Sequence, residues 1–167
     1  MEIRHSTEQD FPRIMEIYRH ARRFMAEHGN PHQWGDTAWP PEPLIHADIA
    51  AGSSYVCVSE GRVAGTFFFV QGPDIEPTYR VIEDGSWADE SPYGVIHRLA
   101  GDGVQKGVGA FCLQWAFAQC GHLRADTHGD NTVMQSLLEK RGFVHRGTIH
   151  VVEDPYPRLA YEKTGRG

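Results

Sequence analysis

The run Gly101-Asp-Gly-Val-Gln-Lys106 followed by Gly107-Val-Gly-Ala-Phe-Cys-Leu113 has the residue types and spacing of an anion site. It joins a β-rich segment, Gly94 to Ala100, to a helical one, Gly107 to Gly121. The first amides of a helix lack internal partners, and the helix dipole places partial positive charge on them. Glycines at 107 and 109 let a ligand approach the backbone, so a pyrophosphate can rest there, with Lys106 as a nearby cation. A tight turn explains the same glycines. The competing phosphate motifs do not fit: there is no Gly-x-x-x-x-Gly-Lys-Ser/Thr run, and Cys112 stands where a dinucleotide fingerprint needs its third glycine.

Two more clusters carry titratable groups. His97 precedes the glycine loop on the same strand, and an imidazole with a reference pKa of about 6.5 suits proton removal near neutrality. Strand alternation puts His97 and Leu99 on one face and Arg98 on the other. The bland alternative for His97 is a half-buried strand histidine bonded to a backbone carbonyl. Asp126-Thr-His128-Gly-Asp130 closes the next strand, where Asp126 and His128 share a face and can form a proton-relay pair. Turn and cap chemistry explains Asp130 equally well. No second cluster of metal-ligand type accompanies these residues, so no metal site is expected.

The elements that must position these groups follow from periodicity. Met1 to His5 reads as a strand, with Ser6 as the N-cap of a first helix whose Phe11, Ile14, Met15, Tyr18, Ala21, Arg22 and Met25 recur at helical spacing. Gly29 to Pro43 reads as an ordered loop, and Glu42 to Ala51 as a second helix. Ser54 to Ser59 and Val63 to Val70 read as a hairpin turning at Glu60-Gly61. Gly72 to Trp87 reads as loop with at most one short strand. Beyond it come a strand (Tyr93 to Ala100), a helix apolar on all sides and hence buried (Gly107 to Gly121) and a strand (Leu123 to Thr127). A helix (Asn131 to Arg141) and two strands (Val144 to Val152, Leu159 to Lys163) complete the chain, with Gly142 as a left-handed C-cap and Phe143 folding back onto the helix. Strands alternate with helices only in the second half, so the sheet is expected to be mixed.

Composition narrows the function classes. The 167 residues fit one domain, 1–167, with 40% hydrophobic and 23% charged residues. No apolar run reaches the roughly 20 residues that span a bilayer, and the N-terminus has no export signal. Cys57, Cys112 and Cys120, odd in number and set in apolar segments, read as reduced thiols of a cytoplasmic protein. A net charge of -6 argues against a nucleic-acid partner.

Lys106-Gly-Val-Gly109, about 22 residues upstream of Asn131-x-x-Met-x-x-Leu-Leu-Glu-Lys-x-Gly-Phe143, resembles the two C-terminal motifs of the GNAT acetyltransferases. The order of elements agrees as well, so the resemblance covers essentially the whole chain. It implies an α/β (α+β) fold with a mixed, mostly antiparallel sheet of about six or seven strands flanked by about four helices. It also implies acetyl-CoA as co-substrate. The Leu99 backbone would pair with the pantetheine arm, and amides of Val104, Gln105, Lys106, Gly107, Val108, Gly109 and Ala110 would cradle the pyrophosphate. Asn131 would contact the pantetheine through its side chain, though a helix N-cap explains it too. Two departures stand out. Val104 replaces the usual Arg or Gln, and Leu138 replaces the tyrosine that commonly protonates the leaving thiolate.

The expected function is transfer of an acetyl group to a primary amine of a small acceptor by direct attack in a ternary complex. A non-catalytic acyl-CoA sensor or accessory protein is the alternative that the two departures favour. Within the resemblance, His97 lies on the strand that often carries a general base. The loop Asn30-Pro-His-Gln-Trp-Gly-Asp36 lies in the region that commonly shapes the acceptor pocket, with Gln33 and Trp34 as candidate contacts. Glu27 and Asp36 would bind a cationic amine, although a tryptophan-anchored structural loop accounts for the same residues. The Gly72 to Trp87 stretch is a candidate homodimer contact.

Overall fold

Alternating and helical periodicities lie where the elements form in the computed structural model, which describes residues 1–36 and 38–165. Thr37, in the loop expected over Gly29 to Pro43, and the last two residues of the expected domain lie outside the described residues. The order is β1 (Glu2–His5), α1 (Phe11–Glu27), α2 (Glu42–Ala50), β2 (Ser54–Ser59), β3 (Arg62–Gly72), β4 (Tyr93–Gly101), α3 (Val108–Cys120), β5 (His122–His128), α4 (Thr132–Lys140), β6 (Val144–His150) and β7 (Pro157–Thr164). The seven strands form one sheet in the order β1-β2-β3-β4-β5-β7-β6. Every neighbouring pair is antiparallel except β4 and β5. The sheet is therefore mixed and mostly antiparallel, with four helices, as the resemblance implies.

Each face of the sheet has its own core. Cys57, Phe67, Ile96, Leu123 and Ala125 meet Cys112, Leu113 and Leu138 of α3 and α4 on one side. Ile14, Ile17, Tyr18 and Ile45 of α1 and α2 meet Val56, Val58 and Ala100 on the other. At about 25 cal/mol per Å² of apolar surface removed from water, these clusters are the main source of stability. Gly142, at φ +88°, ends α4, and the Phe143 amide donates to the Leu138 carbonyl at 3.0 Å. That fold-back buries Phe143 beside Leu138.

Two local expectations need correction, and a third region is refined. Ser6 does not cap α1: its hydroxyl bonds the Ser54 hydroxyl at 2.8 Å, tying the end of β1 to β2. The helix entry is instead fixed by Asp10, whose carboxylate accepts the Thr7 amide at 2.8 Å. α3 is not buried all round; Val108, Cys112, Leu113 and Ala116 are buried while Gln114, Ala118 and Gln119 face solvent. An apolar composition does not stop one side of a helix from lying outside when it packs against one face of a sheet. The Gly72 to Trp87 stretch holds a 3-10 turn at Pro77–Tyr79 and one isolated bridge, Glu83 to Thr148, but no strand among the described residues.

Candidate active site

The parallel strands β4 and β5 pair only at Gly94–Leu123 and Val95–Arg124, then diverge. From Ile96 onward, β4 has no strand partner on that side among the described residues, although the Tyr18 hydroxyl donates to the Arg98 carbonyl at 2.9 Å, and the gap opens a cleft of about 640 Å³. On its other edge β4 carries a bulge. Phe68 stands opposite His97 and Thr66 opposite Ala100, so Arg98 and Leu99 together face the single residue Phe67. Arg98 takes up the extra residue at φ +54°, an uncommon conformation for a side chain of its size.

The bulge overturns the alternation expected from sequence. His97 and Arg98 lie on the same face, against the same ring: the imidazole stacks on Phe68 at 5.8 Å and the Arg98 guanidinium sits 4.7 Å over it. Leu99 turns to the opposite face and packs in the α3 core. One inserted residue reverses every side chain that follows it.

At the glycine-loop end, Gly107 adopts φ +80° and the ladder of α3 begins with the Phe111 amide donating to the Gly107 carbonyl at 3.0 Å. The amides of Val108, Gly109 and Ala110 come before that ladder, at the positive end of the helix dipole. A Cβ at position 109 would lie 2.7 Å from Leu137 Cδ2, so only glycine fits this wall without displacement. The cradle is narrower than expected. Asp102 Oδ1 already accepts the amides of Val104 at 2.9 Å and Gln105 at 3.0 Å. Its other oxygen is held by Arg13 at 3.1 Å and Arg62 at 2.8 Å. Burial alone would raise the Asp102 carboxyl, but the two amides and two guanidiniums hold it below the ordinary carboxylate range.

Of the residues expected to meet the coenzyme, Leu99, Asn131 and the run Gln105 to Gly109 line the cleft. Val104 projects into solvent with 70% of its surface exposed, and neither it nor Ala110 is part of the wall. Asn131 is an N-cap, its Oδ1 accepting the Met134 amide at 3.0 Å, while its Nδ2 donates to Gln33 at 3.1 Å. The Gln33 carbonyl oxygen also accepts Asn30 Nδ2 at 3.0 Å. Gln33 thus ties the α1–α2 loop to the start of α4 across the cleft. Leu138 is fully buried at the inner wall, and among the described residues no tyrosine lines the cleft.

A second cavity, of about 240 Å³, opens on the other side of β4 and shares Gln33, Trp34, His97, Arg98 and Asp126 with the first. His97 lies at the junction between two carboxylates. Its Nε2 is 3.3 Å from Glu76 Oε2 and its Nδ1 is 3.6 Å from Asp126 Oδ2. Tyr79 donates its hydroxyl to the same Asp126 oxygen at 2.6 Å, and Thr78 donates to Glu76 at 2.6 Å. Burial opposes ionisation of Glu76, yet the His97 bond and charge, with Thr78, hold its pKa down at about 2. Burial and the adjoining Asp126 push the Tyr79 phenol well above its ordinary range, so it remains a donor.

The expected Asp126–His128 pair does not form. His128 Nδ1 accepts the Asp130 amide at 2.9 Å, a turn contact, and burial together with Arg158 lowers its pKa. Gln33 and Trp34 line both cavities, with Trp34 set edge-on to Tyr18 at 5.8 Å. Glu27 and Asp36 line neither: Glu27 is exposed, and exposed Asp36 bonds His32 at 3.0 Å and Tyr156 at 3.1 Å.

Sequence reasoning missed Glu76, Tyr79, Glu153 and Arg158. The first two lie in the Gly72 to Trp87 stretch, whose only hint was an aromatic residue beside acids. That stretch is held in place by Trp87, whose Nε1 donates to the Tyr79 carbonyl at 2.8 Å and whose ring carries the Arg124 guanidinium at 4.2 Å. Arg124 in turn bonds the fully buried Glu162 at 3.0 Å. Tyr79 is buried against its own chain, so it is not available to the homodimer contact suggested for this stretch.

No protein-family model and no curated protein matches the sequence. Solved structures do. An acetyltransferase of the GNAT family from Streptococcus agalactiae is 28% identical and superposes with a TM-score of 0.88, over 99% of this chain and 96% of that one. A GNAT-family acetyltransferase from Listeria monocytogenes is 17% identical, with a TM-score of 0.68 over 97% of this chain and 93% of that one. A ribosomal-protein-alanine N-acetyltransferase from Brucella melitensis is 19% identical, with a TM-score of 0.65 over 98% and 99% of the two chains. At these lower identities, the last two speak to the fold alone.

Proposed function

We propose, from the premise that the chain is a GNAT-superfamily acetyltransferase like the Streptococcus agalactiae structure it resembles, that it moves the acetyl group of acetyl-CoA to a primary amine of a small, cationic acceptor by direct attack. The observation that carries this reading is the place of His97, on the wall common to both cavities. The larger cleft suits the coenzyme. Its edge on β4 is free of strand pairing beyond Val95, its helix start offers the amides of Val108 and Gly109, and Gly109 leaves that wall open where a Cβ would crowd Leu137. The smaller cavity suits the amine. It is walled by Trp34, Trp39 and Phe68, and its carboxylates Asp48, Glu76, Asp126 and Glu153 outnumber its guanidiniums Arg98 and Arg158. Those two guanidiniums are already paired, Arg98 with Asp48 and Arg158 with Asp154 at 2.7 Å. The surplus negative charge favours an ammonium over a carboxylate-bearing acceptor.

Acetyl-CoA supplies an electrophilic thioester carbonyl. Attack needs a neutral amine, and His97 takes its proton on Nδ1, which stands 3.6 Å from Asp126, while Glu76 at 3.3 Å from Nε2 holds the charged ring in place. Backbone amides at the Arg98 bulge, outside the β3 ladder and beyond the last β5 pair, are available to the carbonyl oxygen as it becomes negative. As the carbon–nitrogen bond forms and the carbon–sulfur bond breaks, His97 returns the proton to the departing sulfur. This role removes the need for a hydroxyl at Leu138.

The test is thiol release from acetyl-CoA against alkylamines, diamines and amino acids, with coenzyme binding followed by calorimetry. Amine-dependent release, fastest with cationic acceptors, is the expected result. Coenzyme binding without release for any amine overturns catalysis in favour of an acyl-CoA sensor.

A further inference from the structure

We propose that His20, on α1, is a diphosphate-binding residue that takes the place of the side chain missing at Val104; this rests on the coenzyme reading above. Its ring stands on the wall of the larger cleft with Gln105, Lys106, Gly107 and Gly109. It abuts the glycine loop: a Cβ at Gly103, which has φ +76°, would overlap the His20 Nε2 and Cε1 atoms. The imidazole is half-buried, and among the described residues it makes no hydrogen bond, ion pair or ring contact. An exposed histidine without partners is ordinary; one wedged between a helix and a phosphate-type loop, with its nitrogen edge on that loop, is a donor without an acceptor.

The charges around it sharpen the point. A diphosphate brings at least two negative charges to a loop whose only lysine is Lys106. Arg13 and Arg62, the guanidiniums below the loop, are both bound to Asp102. Asp102 also occupies the amides of Val104 and Gln105, so two of the donors expected for the phosphates are taken. Val104 offers only a methyl-bearing surface turned to solvent. The cradle is thus left with the amides at the start of α3, Lys106 and His20. An imidazole N–H to a phosphate oxygen is a charge-assisted bond, and it fixes the coenzyme from the α1 side, opposite the helix dipole.

Calorimetric titration with CoA and with pantetheine, which has no phosphate, tests this. His20→Ala and His20→Phe are each expected to bind CoA about tenfold more weakly, the loss of one charge-assisted bond, with pantetheine binding unchanged. His20→Lys is expected to recover CoA affinity. Thermal melts of each variant establish that it folds. Equal CoA affinity for His20→Phe and the native chain overturns the proposal, as do equal losses for both ligands. A native chain that binds no CoA overturns the coenzyme reading along with it. Native binding with no loss in the variants removes His20 alone.

Discussion

The two cavities that meet at His97 are built by different means. The larger cleft, proposed for the coenzyme, takes its donors from backbone: the edge of β4 beyond its last β5 pair and the first amides of α3, all within the run from Ile96 to Ala110. The smaller cavity, proposed for the acceptor, takes its groups from side chains on the α1–α2 loop, α2, β3, β4, β5, the segment of Glu76 and Thr78, the loop before β7 and β7 itself. Backbone donors are the same whatever the residue, so the first site depends on conformation and on the absence of side chains. The second depends on which side chains converge from separate segments. A coenzyme site of the first kind can stay constant while the acceptor changes.

Substitutions can break or sharpen that contrast. The largest expected effect is from Gly109→Trp, which fills the approach to the Val108–Ala110 amides and collides with Leu137. CoA affinity is expected to drop about a thousandfold, roughly the loss of two charge-assisted hydrogen bonds. Calorimetry reads this, and a melting curve guards against simple unfolding. His97→Ala is expected to lower turnover about a hundredfold with CoA affinity within about twofold, because a proton carrier is lost and no coenzyme contact is. Equal losses in turnover and affinity would merge the two sites into one.

Glu76→Gln probes the acceptor side through pH. The native carboxyl titrates near 2 in place of its ordinary 4.5, a depressed value in the folded state. Its stabilisation is therefore fully present above about pH 4.5 and fades as pH falls toward 2. Discounted for partial exposure, that contribution is about 2 kcal/mol, and acid denaturation followed by circular dichroism should lose this part of its slope in the variant. The smallest effect belongs to Glu27→Ala and Asp36→Ala, whose side chains line neither cavity. The KM for the amine is expected to stay within about twofold, since exposed carboxylates and their ion pairs contribute little. A marked rise in KM would return the acceptor site to the α1–α2 loop.

Legibility followed the same division. The Gly107 helix start, the Asn131 cap and the Gly142–Phe143 stop were readable because each is a local rule linking one residue type to one backbone conformation. The loop Gln33 and Trp34 were placed at the cavities, while Glu27 and Asp36, equally plausible by type, were not. Nothing local separates the two pairs; only the path of the loop after α1 does.

By itself, the sequence determined the element order and the place where an anion could meet a helix. These are set by periodicity and by glycine, both short-range. Tertiary structure alone decided the surroundings of His97. The bulge at Arg98 turned Leu99 away and brought His97 and Arg98 onto one face, and a distant turn delivered Glu76 and Tyr79 to it. A bulge depends on the register of the neighbouring strand, and a convergent side-chain site depends on packing between segments far apart in the chain. Neither leaves a mark on the residues nearby.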